Sequence, residues 1–323
     1  MKIVFMGTPD FAVSIADALY ESGHEIVLCV SQPDKPKGRS GELQFPDVKK
    51  WAVERDIPVF QPERIRRPEA IEELKKYPAD IAVVAAFGQI LPEEILNMYP
   101  YGCVNVHASL LPKYRGAAPI QWAVINGEAT TGVTTMQMGV GLDDGDILLQ
   151  KEIEIASDET GGGLFDKLAV LGGQLITETL EGLEQGTITP IPQNESEATH
   201  VGMIKKELGR IDFDRPAVEV ECLIRGLNPW PSAYTSLSGK TLKLWKAEVI
   251  EADSAPLVSV SDGLKSETIL KPGTIVRIDN DAIYVACNPG ILKITELQLE
   301  GKKRMSTADF LRGRSVETGG MLG

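Results

Sequence analysis

The chain has 323 residues, 43% of them hydrophobic and 24% charged, which is too apolar for a disordered chain and long enough for two domains. Its four cysteines are far apart and form no C-x-x-C, which argues against a zinc module or disulfide scaffold, and no run reaches the ~20 continuous apolar residues of a membrane span. The 33 Lys and Arg against 46 Asp and Glu leave a net charge of −13, yet 18 against 30 fall in residues 1–206 and 15 against 16 in 207–323, so a polyanionic partner for the C-terminal part is not excluded.

The N-terminal segment 2–6 (KIVFM) predicts a short strand, and Gly7-Thr8-Pro9-Asp10 turns into an amphipathic helix ending near Gly23. That opening is too brief an apolar run for a signal peptide, so the expectation is a cytoplasmic protein. Residues 25–30 form a second β-branched run, and 80–87 (DIAVVAAF) is apolar throughout, as in a strand buried on both faces of a parallel sheet. Strand-like runs at 103–107 and 132–138 alternate with helix-like segments at 46–55, 68–76 and 118–125, and a long helical pattern covers 163–183. Such alternation predicts a Rossmann-like, doubly wound, mostly parallel sheet whose ligands bind beyond the carboxyl ends of its strands.

The proline-containing polar run 186–200 (GTITPIPQNESEATH) reads as a linker. Beyond it, short β-rich runs at 241–249, 274–278, 283–286 and 292–299 are separated by turn signals, which predicts a second, smaller β-barrel (OB-like) domain. The organisation is therefore 1–188, a linker at 189–206, and 207–323. Basic residues gather near the C-terminus: Lys302, Lys303, Arg304, Arg312 and Arg314.

Three features carry chemistry. The strand–turn–helix at Gly7 lacks the later glycines of a G-x-G-x-x-G dinucleotide fingerprint; its backbone amides either meet an anion or only start a helix. At the end of a buried strand, Asn105 and His107 are two apart and so share a face. An amide there can donate to a developing oxyanion and an imidazole can exchange a proton, although a lone histidine also reads as a buried side chain satisfied by a neighbour. The third feature, Gly139–Asp146 (GVGLDDGD), lacks calcium-loop spacing. It reads as a solvated turn or as the source of one aspartate that orients the imidazole.

Met6-Gly7-Thr8-Pro9-Asp10-Phe11-Ala12, Asn105-Val106-His107-Ala108-Ser109-Leu110-Leu111-Pro112 with Arg115-Gly116-Ala117-Ala118-Pro119-Ile120-Gln121, Gly141–Asp146, and Arg225-Gly226-Leu227-Asn228-Pro229-Trp230-Pro231 together resemble the methionyl-tRNA formyltransferase family over almost the full chain. The resemblance implies transfer of a formyl group from 10-formyltetrahydrofolate to the α-amino group of methionine on initiator tRNA, by a cytoplasmic monomer without a metal. It implies a catalytic trio of Asn105, His107 and Asp143. Ser109, Leu110, Leu111 and Pro112 correspond to a folate-contacting turn, Gln89, Ile90 and Leu91 to a pterin-pocket lining, and Arg39 to a basic loop that meets the tRNA acceptor end. Lys113 and Arg115 read as contacts to the terminal adenosine or the folate tail. The alternative within the same chemistry is a folate-dependent formyltransferase acting on a small amine, a nucleotide sugar or glycinamide ribonucleotide; the second β domain argues against it.

Overall fold

A computed structural model describes residues 1–37, 42–250 and 271–323. They pack as two compact units. One comprises Met1–Ile120, Thr130–Glu154 and Leu164–Gly202, the other Gln121–Ala129, Ile155–Gly163 and Met203–Gly323. In chain order the elements of the first part are β1 (Lys2–Gly7), α1 (Asp10–Glu21), β2 (Glu25–Val30), β3 (Lys35–Lys37), β4 (Glu42–Gln44), α2 (Asp47–Val53), β5 (Val59–Phe60), α3 (Pro68–Leu74), β6 (Ile81–Ala85), α4 (Glu93–Leu96), β7 (Cys103–His107), β8 (Arg115–Gly116), α5 (Pro119–Ile125), β9 (Thr130–Gln137), β10 (Ile147–Glu154), α6 (Gly161–Gln185) and β11 (His200–Val201). Then come α7 (Ala217–Gly226), β12 (Ala233–Leu237), β13 (Lys240–Ile250), β14 (Ile275–Ile278), β15 (Ile283–Ala286), β16 (Ile291–Leu299), β17 (Met305–Ser306) and α8 (Thr307–Gly313).

The first unit is built on a seven-stranded sheet ordered β10-β9-β7-β6-β1-β2-β5. The strands from β7 to β5 are parallel, and β9 and β10 extend one edge antiparallel. Growth from β1 proceeds to β2 and β5 on one side and to β6 and β7 on the other, which creates the switch point typical of doubly wound sheets. Alternation along β1 sends Val4 and Met6 into a core with Ile71 and Leu74 of α3 and Ile95 of α4. On α1, Phe11 meets Phe165 of α6 edge-on at 5.6 Å. The two helices approach closely because α6 offers no side chain there: a Cβ on Gly172 would stand 2.7 Å from Ile15 Cδ1 and 3.1 Å from Val106 Cγ1. Gly7 has a similar origin, since a Cβ would stand 2.5 Å from that of Ala12. The glycine at the first turn therefore serves helix–strand contact.

Two parts of this unit differ from the sequence expectation. Strand β10 was not anticipated, because Lys151, Glu152 and Glu154 interrupt its apolar signal and alternate residues face solvent. The segment read as a linker is laid against this unit: β11 pairs in parallel with β8, and Ile191 forms a bridge with Ile147.

The second unit is an antiparallel sheet ordered β12-β13-β16-β15-β14, with β17 beside β16. Ala217, Val220 and Ile224 on one stripe of α7 join Leu242, Leu244, Leu292, Ile294 and Leu297 in its core. Arg225 and Gly226, the start of the C-terminal signature, close this unit. Arg225 donates to Glu221 Oε1 at 2.5 Å and to the Glu159 carbonyl at 2.8 Å. A Cβ on Gly226 would stand 2.5 Å from Ile125 Cγ1. Among the described residues no helix is long and apolar enough to cross a membrane.

Candidate active site

β7 places Asn105 and His107 as the alternation predicts. Asn105 lies opposite Met136 of β9, and His107 opposite Thr134. Both are buried, Asn105 at 8% exposure and His107 at 6%. His107 Nε2 lies 2.9 Å from the carbonyl oxygen of Tyr114. A carbonyl only accepts, so Nε2 carries a proton and, in the neutral ring, Nδ1 carries the lone pair. Nδ1 faces Asp143 Oδ2 at 3.7 Å. The same carboxylate oxygen accepts a hydrogen bond from the Gly116 amide at 2.7 Å. The Asn105 side-chain amide makes no hydrogen bond among the described residues.

Asp143 arrives by a route the sequence did not indicate. β9 runs antiparallel to β7, and the Met138 amide donates to the carbonyl of Cys103, so the loop after β9 leaves beside the amino end of β7 rather than beside His107. It then folds back along β7 to bring its carboxylate to the imidazole. The excursion requires unusual backbone: Asp143 has φ 51°, and Tyr114 and Ala118 in the facing turn have φ 61° and 59°. Non-glycine residues in this region cost of order 1–3 kcal/mol each and persist only where surrounding structure holds them. Among the described residues no three His, Cys, Asp or Glu side chains gather to hold a metal.

The turn after β7 is tied from within. Ser109 is fully buried, and its hydroxyl donates to the Lys113 carbonyl at 2.6 Å. Thr134 Oγ1 donates to the Ser109 carbonyl at 2.6 Å, while Gln150 Nε2 donates to the Leu111 carbonyl at 2.8 Å. Ser109 and Leu111 therefore shape the turn from inside, and Leu110 and Pro112 are its half-buried outer members. After β6, the strand beside β7, Gln89 accepts from the Ile65 amide at 2.7 Å and donates to the Pro62 carbonyl at 3.1 Å; Leu91 is buried and Ile90 is 78% exposed.

Arg115 departs from the expectation that it contacts a substrate. It is almost fully buried, and its guanidinium forks onto Glu195 through two bonds of 2.9 Å and onto Gln193 Oε1 at 3.0 and 3.1 Å. Lys113 is exposed. Sequence reasoning missed Gln193, Glu195 and Thr199, because a polar stretch with prolines carries no periodic signal.

Arg39 lies outside the described residues. The flanks of its loop, β3 and β4, pair as a hairpin with Lys35 opposite Gln44. Asp34 at the base accepts from Gln61 Nε2 at 2.8 Å and Lys49 Nζ at 2.6 Å. Those two bonds, Gln61 first, hold its carboxyl below the ordinary range.

The sheet with its antiparallel edge, the asparagine–histidine strand end and the returning aspartate loop define a class, and comparison with known proteins gives the same class. Residues 1–180 match the model of the formyl transferase family, and residues 203–315 match that of the formyl transferase C-terminal domain. The chain belongs to the formyl transferase family. Among curated relatives, the methionyl-tRNA formyltransferase of Lachnospira eligens is 54% identical over 323 residues, covering all of both chains. That of Agathobacter rectalis is 55% identical over 319 residues, 99% of this chain and 98% of the relative. Among solved structures, an N-formyltransferase from Helicobacter canadensis with folinic acid and dTDP-3-aminofucose shares the fold at TM-score 0.65 and 16% identity, covering 91% of this chain and 98% of the other. HypX from Aquifex aeolicus with tetrahydrofolic acid shares it at TM-score 0.58 and 19% identity, covering 96% of this chain and 47% of the other.

Proposed function

We propose that the chain transfers the formyl group of 10-formyltetrahydrofolate to the α-amino group of methionine esterified to initiator tRNA, with Asn105, His107 and Asp143 at the reacting carbon. The observation that carries the chemistry is the orientation of His107, whose Nε2–H is engaged by a carbonyl while Nδ1 looks toward a carboxylate. The full-length similarity to methionyl-tRNA formyltransferases supports the acceptor.

An α-amino group has an ordinary pKa near ~7.7–8.0, so a substantial fraction is neutral and nucleophilic at physiological pH. Its lone pair attacks the formyl carbon, the carbonyl electrons move to oxygen, and the new amine nitrogen becomes cationic. The unpartnered Asn105 amide donates to that oxyanion; one such donor is worth ~2.7–4 kcal/mol of barrier. Nδ1 of His107 takes the proton from the new amine. The resulting imidazolium lies against the Asp143 carboxylate, which stabilises it without taking the proton. When the oxyanion collapses, the C–N bond to the folate breaks and the proton passes to that nitrogen. The amide of the product and tetrahydrofolate leave.

The folate reading is supported by the turn Ser109–Pro112 and by exposed apolar side chains in the segments after β6 and β9: Ile90, Val140 and Leu142. Ring systems are bound by apolar surfaces of this kind with a few polar groups to orient them. The loop bearing Arg39 and the cations near the C-terminus contact tRNA phosphates. Four free, buried cysteines suit a reducing, cytoplasmic compartment, and the working unit is the monomer, checked by the solution mass.

One incubation decides the activity. The protein is given 10-formyltetrahydrofolate with methionyl-tRNA, with a 3-amino nucleotide sugar, or with no acceptor. Formylmethionyl-tRNA is the expected product. Faster formylation of the sugar, or formate release at a comparable rate without an acceptor, overturns the reading.

A further inference from the structure

We propose that Gln193 is a positioning residue for the transfer reaction, holding the Asp143 loop through its main chain from the segment that follows α6. The proposal rests on the reading of His107 and Asp143 given above and extends it to a residue that meets neither substrate.

The loop Gly139–Asp146 has little of its own to fix it. It contains three glycines, and Asp143 sits at φ 51°. Its neck is closed by the Gln137 amide donating to the Asp146 carbonyl at 2.8 Å. Beyond the neck the Gly116 amide holds the Asp143 carboxylate, and among the described residues one side chain from outside the loop holds its main chain: Gln193 Nε2 donates to the carbonyl of Asp143 at 2.8 Å and to that of Gly145 at 2.7 Å. Both protons of one amide are thus used on the backbone of the catalytic loop. The oxygen of that amide accepts from Arg115 Nε and Nη2, and Arg115 is fixed in turn by its fork onto Glu195. A primary amide anchored on its oxygen by a buried guanidinium has a single orientation, which aims both of its N–H groups at the loop.

The same segment secures the other side of the imidazole. The Arg115 amide donates to the Thr199 carbonyl at 2.8 Å, and the Tyr114 amide donates to Thr199 Oγ1 at 2.8 Å. The Tyr114 carbonyl, which fixes the His107 tautomer, and the Gly116 amide, which holds the Asp143 carboxylate, flank Arg115 in sequence. Residues 193–199 therefore brace both contacts that orient His107, and Gln193 is the member that reaches the aspartate loop directly.

A misplacement of about 1 Å at the reacting groups costs on the order of 100-fold in rate. Gln193→Ala is accordingly expected to lower kcat about 10- to 100-fold with KM for methionyl-tRNA and for the folate close to wild type. Gln193→Glu, which keeps the length and the Arg115 pairing but has no N–H to donate, is expected to fall with it. Gln193 is only half-buried, so both variants should fold, and thermal melting checks this. The discriminating readout is a double-mutant cycle: in an Asp143→Ala background, Gln193→Ala should cost nothing further in kcat, because the group it positions is gone. Wild-type kcat in both Gln193 variants overturns the proposal, as does the same loss in the Asp143→Ala background as in wild type. An Asp143→Ala enzyme with full activity instead overturns the reading of the site on which the proposal rests.

Discussion

The end of β7 and the basic end of the C-terminal unit both carry polar side chains that the sequence singles out, and the two are held in opposite ways. Around His107 the side chains of His107, Asp143 and Ser109 are tied to backbone carbonyls and amides, so each of the three has one orientation, and the buried Asn105 amide beside them is left with its donors free. Near the C-terminus the side chains are exposed and part of their charge is already matched. Arg304 forks onto Glu296 with two bonds of 2.6 Å and lies over the Trp245 ring, and Arg312 pairs with Asp309. Lys302 and Lys303 have no carboxylate partner among the described residues. Buried, directional contacts determine geometry, whereas exposed charges contribute a salt-screened field. The first region should therefore govern rate and the second affinity.

The sharpest way to break this division is to remove a directional donor. Asn105→Ala is expected to lower kcat by 10²- to 10³-fold, with KM for tRNA and its salt dependence unchanged. His107→Ala should abolish measurable transfer in a folded protein. Steady-state kinetics at two salt concentrations, beside a melting curve, checks both. A loss confined to KM would place these residues with the binding surface instead.

On the binding side the structure separates cations that look alike in sequence. Each phosphate-contacting lysine contributes about one to the slope of log affinity against log salt. Lys302→Ala and Lys303→Ala should each lower that slope by about one while kcat at saturating tRNA stays at the wild-type level. Arg304→Ala should change it by less, because Glu296 already offsets that charge. Filter binding of initiator tRNA over a salt series measures the slopes, and equal effects from all three would show that the Arg304–Glu296 pair opens on binding.

How far this division was legible in sequence depends on the kind of contact. Asn105 and His107 could be placed together because a strand has period two, and DIAVVAAF announced a strand covered on both faces. Asp143 was legible as the source of a carboxylate for the imidazole, but its route was not: β9 is antiparallel to β7, so the loop has to return along it. Strand direction is set by tertiary pairing, which local pattern does not encode. The brace from Gln193 to Thr199 was not legible at all. Its bonds run from side chains to backbone atoms about fifty to eighty-five residues away, and the pairing of the adjoining β11 with β8 is two residues long. Arg225 and Gly226 were legible as a motif, while their packing role emerged only with the Glu159 and Ile125 contacts.

Glu195 belongs to both halves of the comparison, being an exposed carboxylate on a buried guanidinium, and it gives the smallest of the expected effects. The hydrogen bonds from Arg115 hold its carboxyl below the ordinary glutamate range. A carboxyl with a depressed folded-state pKa adds stability that is present above its unfolded value, near ~4.3, and is lost as pH falls through the lowered folded value. Glu195→Gln keeps the shape and removes the charge. The variant should therefore melt slightly below wild type at pH 7, and the gap should close as the pH is lowered past 4. Because the Glu195 side chain is 75% exposed, solvent screens most of the pair and added salt should narrow the gap at pH 7. Equal melting temperatures for the two proteins at pH 7 would mean that the charge of Glu195 adds nothing to the fold and that its fork onto Arg115 matters only for the geometry it imposes.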